Sequence, residues 1–168
     1  MVIRRLTSED HAAAVAIAEA LPEWFDATAR RLSIPTDLKH QDGFVAWHDD
    51  TAVGFITLYV AEGRLNIGWL GVRKEHQRRG IGQALLRKAE DRARDLGIRE
   101  IATCTLGDGV DYPPYEQTRG FYFGNGFRVY QRSKTDNPGC PEEIRIKKEV
   151  DQQGASPAGD PATLHPGQ

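Results

Sequence analysis

The sequence predicts an α/β domain in which helices flank a mixed, mostly antiparallel central sheet. First, strand-like runs follow one another at residues 44–48, 53–60 and 65–72, which is the pattern of an antiparallel meander. Second, residues 81–96 repeat apolar side chains at helical spacing and carry charges on the other face. Third, strands and helices share the first 150 residues in an order that favours helices packed on one sheet.

The N-terminal elements follow from local propensity. Residues 2–6 are expected to form the first strand. The alanine-rich residues 11–20 predict a helix that ends near Pro22, because proline lacks the N–H group that a continuing helix needs. A second helical stretch is expected over residues 23–32, and residues 33–43 are expected to form a loop before the meander.

The C-terminal elements follow the long helix, which Gly97 is placed to end. They are a strand at 98–106, a loop at 107–114, a short helix at 116–125, and strands at 127–131 and 143–150. Residues 151–168 have almost no large apolar side chain and cannot bury enough apolar surface to fold. We therefore expect one domain, residues 1–150, followed by a disordered C-terminal tail, residues 151–168.

Charge and composition argue against several classes of protein. The chain has 22 Lys and Arg residues against 24 Asp and Glu residues, so no basic excess favours nucleic acid as a partner. No apolar run approaches the roughly 20 residues of a membrane span, and the N-terminus lacks the apolar core of a signal peptide. The two cysteines stand in unlike contexts, and no Cys and His residues share a metal-ligand spacing. We expect a cytoplasmic protein that binds neither metal nor membrane.

The segment between the strand at 65–72 and the long helix has the features of a phosphate site. It contains Gln77-Arg78-Arg79-Gly80-Ile81-Gly82. Glycine lets the backbone approach a ligand closely, and the first turn of a helix has unpaired N–H groups that bind anions. The arginine side chains add charge-assisted hydrogen bonds. The glycine spacings of the Rossmann fold and the P-loop are absent, so the segment predicts a different kind of phosphate-bearing ligand.

Two motifs resemble those of the GNAT-family N-acetyltransferases. The first is residues 77–82, which fit the family's Gln/Arg-x-x-Gly-x-Gly/Ala acetyl-CoA loop. The second is residues 119–127, Arg-Gly-Phe-Tyr-Phe-Gly-Asn-Gly-Phe, which resemble the family's Phe-Tyr-x-x-x-Gly-Phe element. One helix and one strand lie between the motifs, as in the family, and the order of elements agrees over residues 1–150. The resemblance implies an acyl-CoA N-acyltransferase-like fold in which acetyl-CoA, the co-substrate, lies between two parallel strands that separate.

The resemblance also implies which residues contact the cofactor and its thioester. The backbone of residues 70–72 would bond the pantetheine amides, and the loop with the first turn of the helix would hold the pyrophosphate. The implied cofactor-binding residues are Leu70, Gly71, Val72, Gln77, Arg78, Arg79, Gly80, Ile81, Gly82 and Gln83. Tyr122 matches the tyrosine that commonly acts as general acid for the departing thiolate, or stabilises it.

The acceptor side is expected to lie between two walls, residues 21–26 and residues 108–116. Both combine aromatic rings with carboxylates, which suits a cationic amine. Trp24, Asp111 and Glu116 are therefore candidate substrate-binding residues. An alternative of equal weight is that Trp24 belongs to the core of an amphipathic helix.

The general base is left open by the sequence. Relatives often place a glutamate on the strand before the acetyl-CoA loop, but residues 65–70 contain no carboxylate. Glu62, Asp108, Asp111 and Glu116 are the nearest alternatives, together with water and backbone carbonyls. Cys104 could carry the acetyl group covalently. A buried structural thiol is favoured instead, because it lies in an apolar strand without a neighbouring histidine.

The expected activity is transfer of an acetyl group from acetyl-CoA to a small-molecule or protein amine by direct attack. The alternative is a catalytically silent module of the same fold that binds or senses acyl-CoA or a protein partner. The complete loop and the tyrosine favour the enzyme, and the missing glutamate favours the alternative. Dimers are frequent in the family, so the resemblance allows a homodimer.

Overall fold

The computed structural model describes residues 1–109 and 111–152. The strands within these residues are β1 (Val2–Arg5), β2 (Asp42–His48), β3 (Thr51–Ala61), β4 (Arg64–Val72), β5 (Glu100–Leu106), β6 (Arg128–Lys134) and β7 (Glu142–Glu149). The α-helices are α1 (His11–Glu19), α2 (Ile34–Leu38), α3 (Ile81–Asp95) and α4 (Pro113–Gly124). The tail expected from residue 151 onward lies outside the described residues, apart from Asp151 and Gln152, and the single domain expected for residues 1–150 stays a prediction.

The strands form one mixed sheet in the order β1-β2-β3-β4-β5-β7-β6. The β4–β5 pair is parallel, and every other neighbouring pair is antiparallel. The predicted mixed, mostly antiparallel sheet with flanking helices is therefore confirmed. No described helix has the length and apolar character needed to span a bilayer.

The parallel pair is short, and the sheet opens where it ends. β4 and β5 are paired only at Leu65 with Ile101 and at Asn66 with Ala102. One residue further on, the hydroxyl of Thr103 donates a hydrogen bond to the carbonyl oxygen of Ile67 at 3.1 Å. Beyond this contact the two strands separate, while β4 stays paired with β3 and β5 with β7. The result is a gap inside a sheet whose two halves are each intact.

Two apolar clusters cover the two faces of the sheet. On one, named here the α3 face, Leu85, Leu86 and Ala89 pack against strand residues such as Ile56. On the other, named the α1 face, residues of α1 and α2 pack against residues such as Phe55. The apolar spacing of residues 81–96 thus predicts the buried side of α3, and burying each large aliphatic side chain contributes roughly 1.5–3 kcal/mol.

The region between α1 and β2 differs from the prediction. The helix expected at 23–32 begins only after a turn at residues 22–25, and it runs through a π-helical segment, Ala29–Ser33, into α2, where the start of a loop was expected. Asp26 Oδ1 accepts a hydrogen bond from the N–H of Ala29 at 2.7 Å, so the helical segment begins after this aspartate. Pro35 lies in the first turn of α2, where its missing N–H costs little.

The N-terminal boundary of α4 also differs from the prediction, again because proline occupies the first turn of the helix. α4 begins at Pro113, three residues before the predicted start at residue 116, because Pro113 and Pro114 occupy its first positions. Proline is tolerated there, since the first N–H groups of a helix have no partner within it. The loop expected at 107–114 is correspondingly shorter.

Leu85 tests the α3 packing, because its side chain is fully buried at 0 % exposure. Leu85→Ala should lower the free energy of unfolding by about 2–5 kcal/mol through lost burial and the cavity left behind. Urea denaturation followed by circular dichroism would measure it. The control Arg87→Ala changes an exposed residue of the same helix and should stay within about 0.5 kcal/mol of the wild type. Equal effects of the two substitutions would contradict the assigned packing.

Candidate active site

A cleft of about 580 Å³ lies between the end of β4, the N-terminus of α3 and α4. The turn that follows α1 bounds one end of it through Leu21 and Trp24. The residues singled out from the sequence that line this cleft are Trp24, Leu70, Gly71, Val72, Gln77, Arg78, Gly80, Ile81, Gly82, Gln83 and Tyr122. The cleft therefore brings together most of the predicted cofactor residues and the predicted acid.

The loop before α3 has an unusual backbone. Arg78 has φ 60° and Gly80 has φ 81°, so both lie in the left-handed region. For a non-glycine residue such as Arg78 this conformation costs on the order of 1–3 kcal/mol. The amide of Gln77 donates a hydrogen bond to the carbonyl oxygen of Val72 at 2.9 Å and so ties the start of the loop to the end of β4. Strain of this kind persists only where the surroundings hold it, and it is concentrated at ligand sites.

The N-terminus of α3 presents backbone donors to the cleft. Gly80 occupies the N-cap position without a side chain that could bond them, and its carbonyl oxygen accepts from the N–H of Ala84 at 2.9 Å. The N–H groups of Ile81, Gly82 and Gln83 belong to the first turn, where the helix supplies no acceptors. Together with the positive end of the helix dipole they form a site suited to an anion.

Gly82 keeps α3 close to α4. A Cβ at this position would lie 3.3 Å from Cε2 of Phe121 and 3.9 Å from Cγ2 of Val72. Only hydrogen fits here without displacing the Phe121 ring, and a larger side chain would enter the cleft. The sequence suggests a glycine for close approach to phosphate, and the structure adds this helix contact.

Arg79 and the acidic candidates lie outside the cleft lining. Arg79 is exposed on the loop, while Asp111 and Glu116 are exposed near the start of α4. Asp108 forms an ion pair with Arg132 at 3.2 Å and is also absent from the cleft lining. The structure therefore does not bring these carboxylates into the cleft that Tyr122 lines.

Tyr122 is buried at the point where β4 and β5 separate. Its ring lies between those of Phe121 and Phe127, with centroid distances of 5.2 and 5.1 Å. Burial raises the pKa of Tyr122, and a hydrogen bond with Thr103 acts in the opposite direction. Thr103 in turn donates to Ile67, the residue after the last β4–β5 pair. The phenol is therefore a neutral hydrogen-bond donor beside the gap at physiological pH.

Thr103 is a site residue that the sequence analysis does not single out. It is 7 % exposed and shares the α3 face of β5 with Ile101. In a strand, residues two positions apart face the same side of the sheet. Thr103 lies two positions after the core residue Ile101, and this spacing is the signal that could have found it. Its connection to Tyr122, nineteen positions along the chain, depends on how α4 packs on β5 and is not visible locally.

The two expected acceptor walls are hydrogen-bonded to each other. The indole N–H of Trp24 donates to the carbonyl oxygen of Pro114 at 3.0 Å. In return, the hydroxyls of Tyr112 and Tyr115 donate to the carbonyl oxygens of Glu23 and Trp24 at 2.7 and 2.9 Å. Trp24 is thus partly buried, lines the cleft and has its polar group bonded within the protein.

The same turn is also joined to the basic loop. Lys74 Nζ and the carboxylate of Glu23 form an ion pair. The hydrogen bond from Lys74 lowers the pKa of Glu23. The turn after α1 therefore contacts both the loop before α3 and the start of α4, and it closes one end of the cleft.

Cys104 differs from the buried thiol expected from the sequence. It is exposed on the α1 face of β5, so that expectation is wrong. Desolvation by neighbouring side chains, followed by the charge of Glu143, raises the pKa of the thiol. A raised pKa disfavours the thiolate that covalent catalysis needs. Across residues 1–109 and 111–152, no three or more side chains that could ligate a metal come together.

Comparison with known proteins agrees with this geometry. The model of the acetyltransferase (GNAT) family matches residues 7–125, and the chain belongs to this family. An uncharacterized protein of Bacillus subtilis (strain 168), YxbD, is 30% identical over 102 residues, which are 58% of this chain and 63% of that protein. The chain thus matches less than two thirds of that relative.

Solved structures share the fold at low identity. A GNAT-family protein from Desulfovibrio desulfuricans has a TM-score of 0.76 at 23% identity, covering 89% of this chain and 99% of its own. The ribosomal-protein-S18-alanine N-acetyltransferase of Escherichia coli has a TM-score of 0.71 at 17% identity, covering 91% and 96%. PaiA N-acetyltransferase from Thermoplasma acidophilum, solved in complex with coenzyme A, has a TM-score of 0.66 at 20% identity, covering 89% and 99%.

The raised pKa of Tyr122 predicts a pH dependence of stability. Above the value of about 10 for an unfolded tyrosine, the unfolded chain loses the phenol proton while the folded protein retains it. Below that pH, the contribution of this group to the free energy of unfolding is fully present. This contribution is lost as the pH rises further. Urea denaturation at pH 8 and pH 10.5 should show that the free energy of unfolding falls less between the two pH values for Tyr122→Phe than for the wild type. Identical falls would contradict the burial of the phenol.

Proposed function

We propose that the protein transfers the acetyl group of acetyl-CoA to an amine by direct attack, with Tyr122 as the acid that assists the departing thiolate. The observation that carries the proposal is the position of this buried, neutral phenol beside the gap between β4 and β5, at the cleft that also contains the anion-binding turn of α3. The family membership supports acetyl transfer as the reaction class.

Acetyl-CoA fits the cleft in shape and in chemistry. The volume of about 580 Å³ is in the range of ligand pockets. Past Asn66 the edge of β4 that faces the gap has no partner strand, so backbone groups of residues 70–72 would pair with the pantetheine amides. The N–H groups of residues 81–83, with Arg78 beside them, would hold the pyrophosphate. PaiA, which shares the fold, is itself seen with coenzyme A.

The reaction requires a neutral amine, whereas a lysine-like amine has a pKa of about 10.4. Its nitrogen attacks the thioester carbonyl carbon, a tetrahedral intermediate forms, and the carbon–sulfur bond breaks as the amide forms. The phenol of Tyr122 donates a hydrogen bond to the sulfur as negative charge develops there, and its proton completes the thiol, while the proton that the nitrogen loses restores the phenol through water. Because burial raises the pKa of Tyr122, hydrogen bonding to the developing thiolate precedes full proton transfer.

No carboxylate lines the cleft among the described residues. The ammonium proton of the acceptor would therefore leave through water or a backbone carbonyl. The same observation favours the second candidate, a silent module that binds acyl-CoA without turnover. Binding of acetyl-CoA with no thiol release across a broad amine panel would select that candidate.

Substituting Tyr122 tests the acid. Tyr122→Phe should lower kcat by roughly 10²–10⁴-fold, because the hydroxyl is lost while the packing between Phe121 and Phe127 is kept. Affinity for acetyl-CoA should change little. Thiol release and calorimetry measure the two quantities. Tyr130→Phe, which changes a strand β6 residue beneath Arg64, is the matched control. Full turnover by Tyr122→Phe would refute the assigned role.

Substituting Gly82 tests the donor site. Gly82→Leu should weaken acetyl-CoA binding by at least about tenfold, because the side chain would enter the cleft beside Phe121 and Val72. Calorimetry measures the affinity, and circular dichroism reports whether the variant is folded. Gly109→Leu is the control, since a Cβ there meets no atom within 4 Å. Normal affinity in a folded Gly82→Leu protein would rule out this binding site.

A further inference from the structure

The cleft reaches the α1 face of the sheet through Leu21 and Phe25, and the ring of Phe25 contacts that of Trp69 in β4. Directly after the last β4–β5 pair at Asn66, β4 has an irregular register opposite Thr57. The hydroxyl of Thr57 accepts the backbone N–H of Trp69 at 2.8 Å, and the Trp69 side chain packs with the cluster of the α1 face. A thioester held in the gap would therefore meet its acceptor beside Trp69.

Trp69 holds a carboxylate in a defined position. Its indole N–H donates to Oδ2 of Asp37 in α2 at 2.8 Å, and its ring contacts Phe25 edge to face at 5.8 Å. Asp37 is partly exposed, and among the described residues no basic side chain forms an ion pair with it. A fixed, unneutralised carboxylate next to aromatic rings is a suitable receptor for a positive charge.

Other oxygens around this position are also hydrogen-bond acceptors. A Cβ added to Gly68 would lie 2.2 Å from Oε1 of Gln41 and 2.8 Å from Oγ1 of Thr57. The Gln41 oxygen is buried and has no hydrogen-bond partner among the described residues. Buried acceptors without donors are costly. The Gln41 oxygen is thus a second acceptor near Asp37, since the backbone N–H of Gln41 donates to the carbonyl oxygen of Asp37.

The opposite side of the gap is not cationic overall. Burial raises the pKa of Tyr59, the charges of Cys104 and Asp37 raise it further, and that of Arg145 lowers it. Arg145 is the cation of this group, and Glu62 and Glu143 pair with it at 3.7 and 3.8 Å. Its charge is thus offset by two carboxylates other than Asp37.

Asp37 is better placed to bind a second positively charged group of the acceptor than to bind the amine nitrogen that reacts. It bonds the far end of the Trp69 indole, a full side chain away from the β4 backbone at the gap. A carboxylate beside the reacting amine would also stabilise its ammonium form and so suppress attack. A distant carboxylate holds the acceptor without this penalty.

We propose that Asp37, held by Trp69, is a subsite for a second cationic group of the acceptor, so that the preferred substrates are amines carrying another positive charge. This inference rests on the proposed acetyl transfer and adds a residue that selects the acceptor.

Two amines of similar length test the subsite. The second end of 1,4-diaminobutane is cationic, and that of 4-aminobutan-1-ol is neutral. The wild type should acetylate the diamine with a kcat/KM about tenfold higher. Asp37→Asn keeps an oxygen for the Trp69 N–H but removes the charge. It should raise KM for the diamine about tenfold, leave kcat nearly unchanged, and leave the amino alcohol unaffected. Asp95→Asn, at the exposed end of α3, is the control.

An equal loss with both probes in Asp37→Asn, or no preference in the wild type, would overturn the subsite. Calorimetric binding of each probe to the protein with excess coenzyme A separates this inference from the proposed function. If no amine releases thiol, acetyl transfer is refuted, yet tighter binding of the diamine that Asp37→Asn abolishes would still support the subsite. No diamine binding, or equal binding by both proteins, would overturn it.

Discussion

The rest of the structure depends on the early end of the β4–β5 ladder. Two residue pairs join these strands, and the hydrogen bond from Thr103 to Ile67 closes the paired part. Beyond it, each strand keeps its other neighbour, so the sheet opens without losing its antiparallel halves. Past Asn66 the edge of β4 that faces the gap has backbone groups without a partner strand.

The elements around the gap are held in place by contacts between distant segments. Gln77 fastens the basic loop to the end of β4, and the small size of Gly82 allows α3 to approach α4. The turn after α1 joins the loop through Glu23 and α4 through Trp24. The strained backbone at Arg78 is therefore surrounded by fixed neighbours, and the conformational cost is met before any ligand arrives.

The prediction from sequence succeeded where the pattern is periodic and failed where structure begins or changes direction. The apolar repeat of α3 is long enough to be read directly, whereas residues 23–43 mix helical and loop signals around Asp26 and Pro35. Cys104 illustrates a different limit. Strand alternation shows that a residue lies on a given face of a sheet, but not whether a helix covers that face at its position, and here the thiol is exposed.

The sequence by itself determined the family, which the family match over residues 7–125 confirms, and it predicted the residues of the donor side. The loop at residues 77–82 and Tyr122 lie in two short motifs, and local backbone conformation and spacing are properties of contiguous residues. The tertiary structure alone decided which separated residues meet. It joined Thr103 to Tyr122, and Asp37 to Trp69 on the other face, and it left Asp111 and Glu116 outside the cleft. The physical reason is that such contacts depend on how helices pack on the divided sheet, which no local pattern of residues encodes.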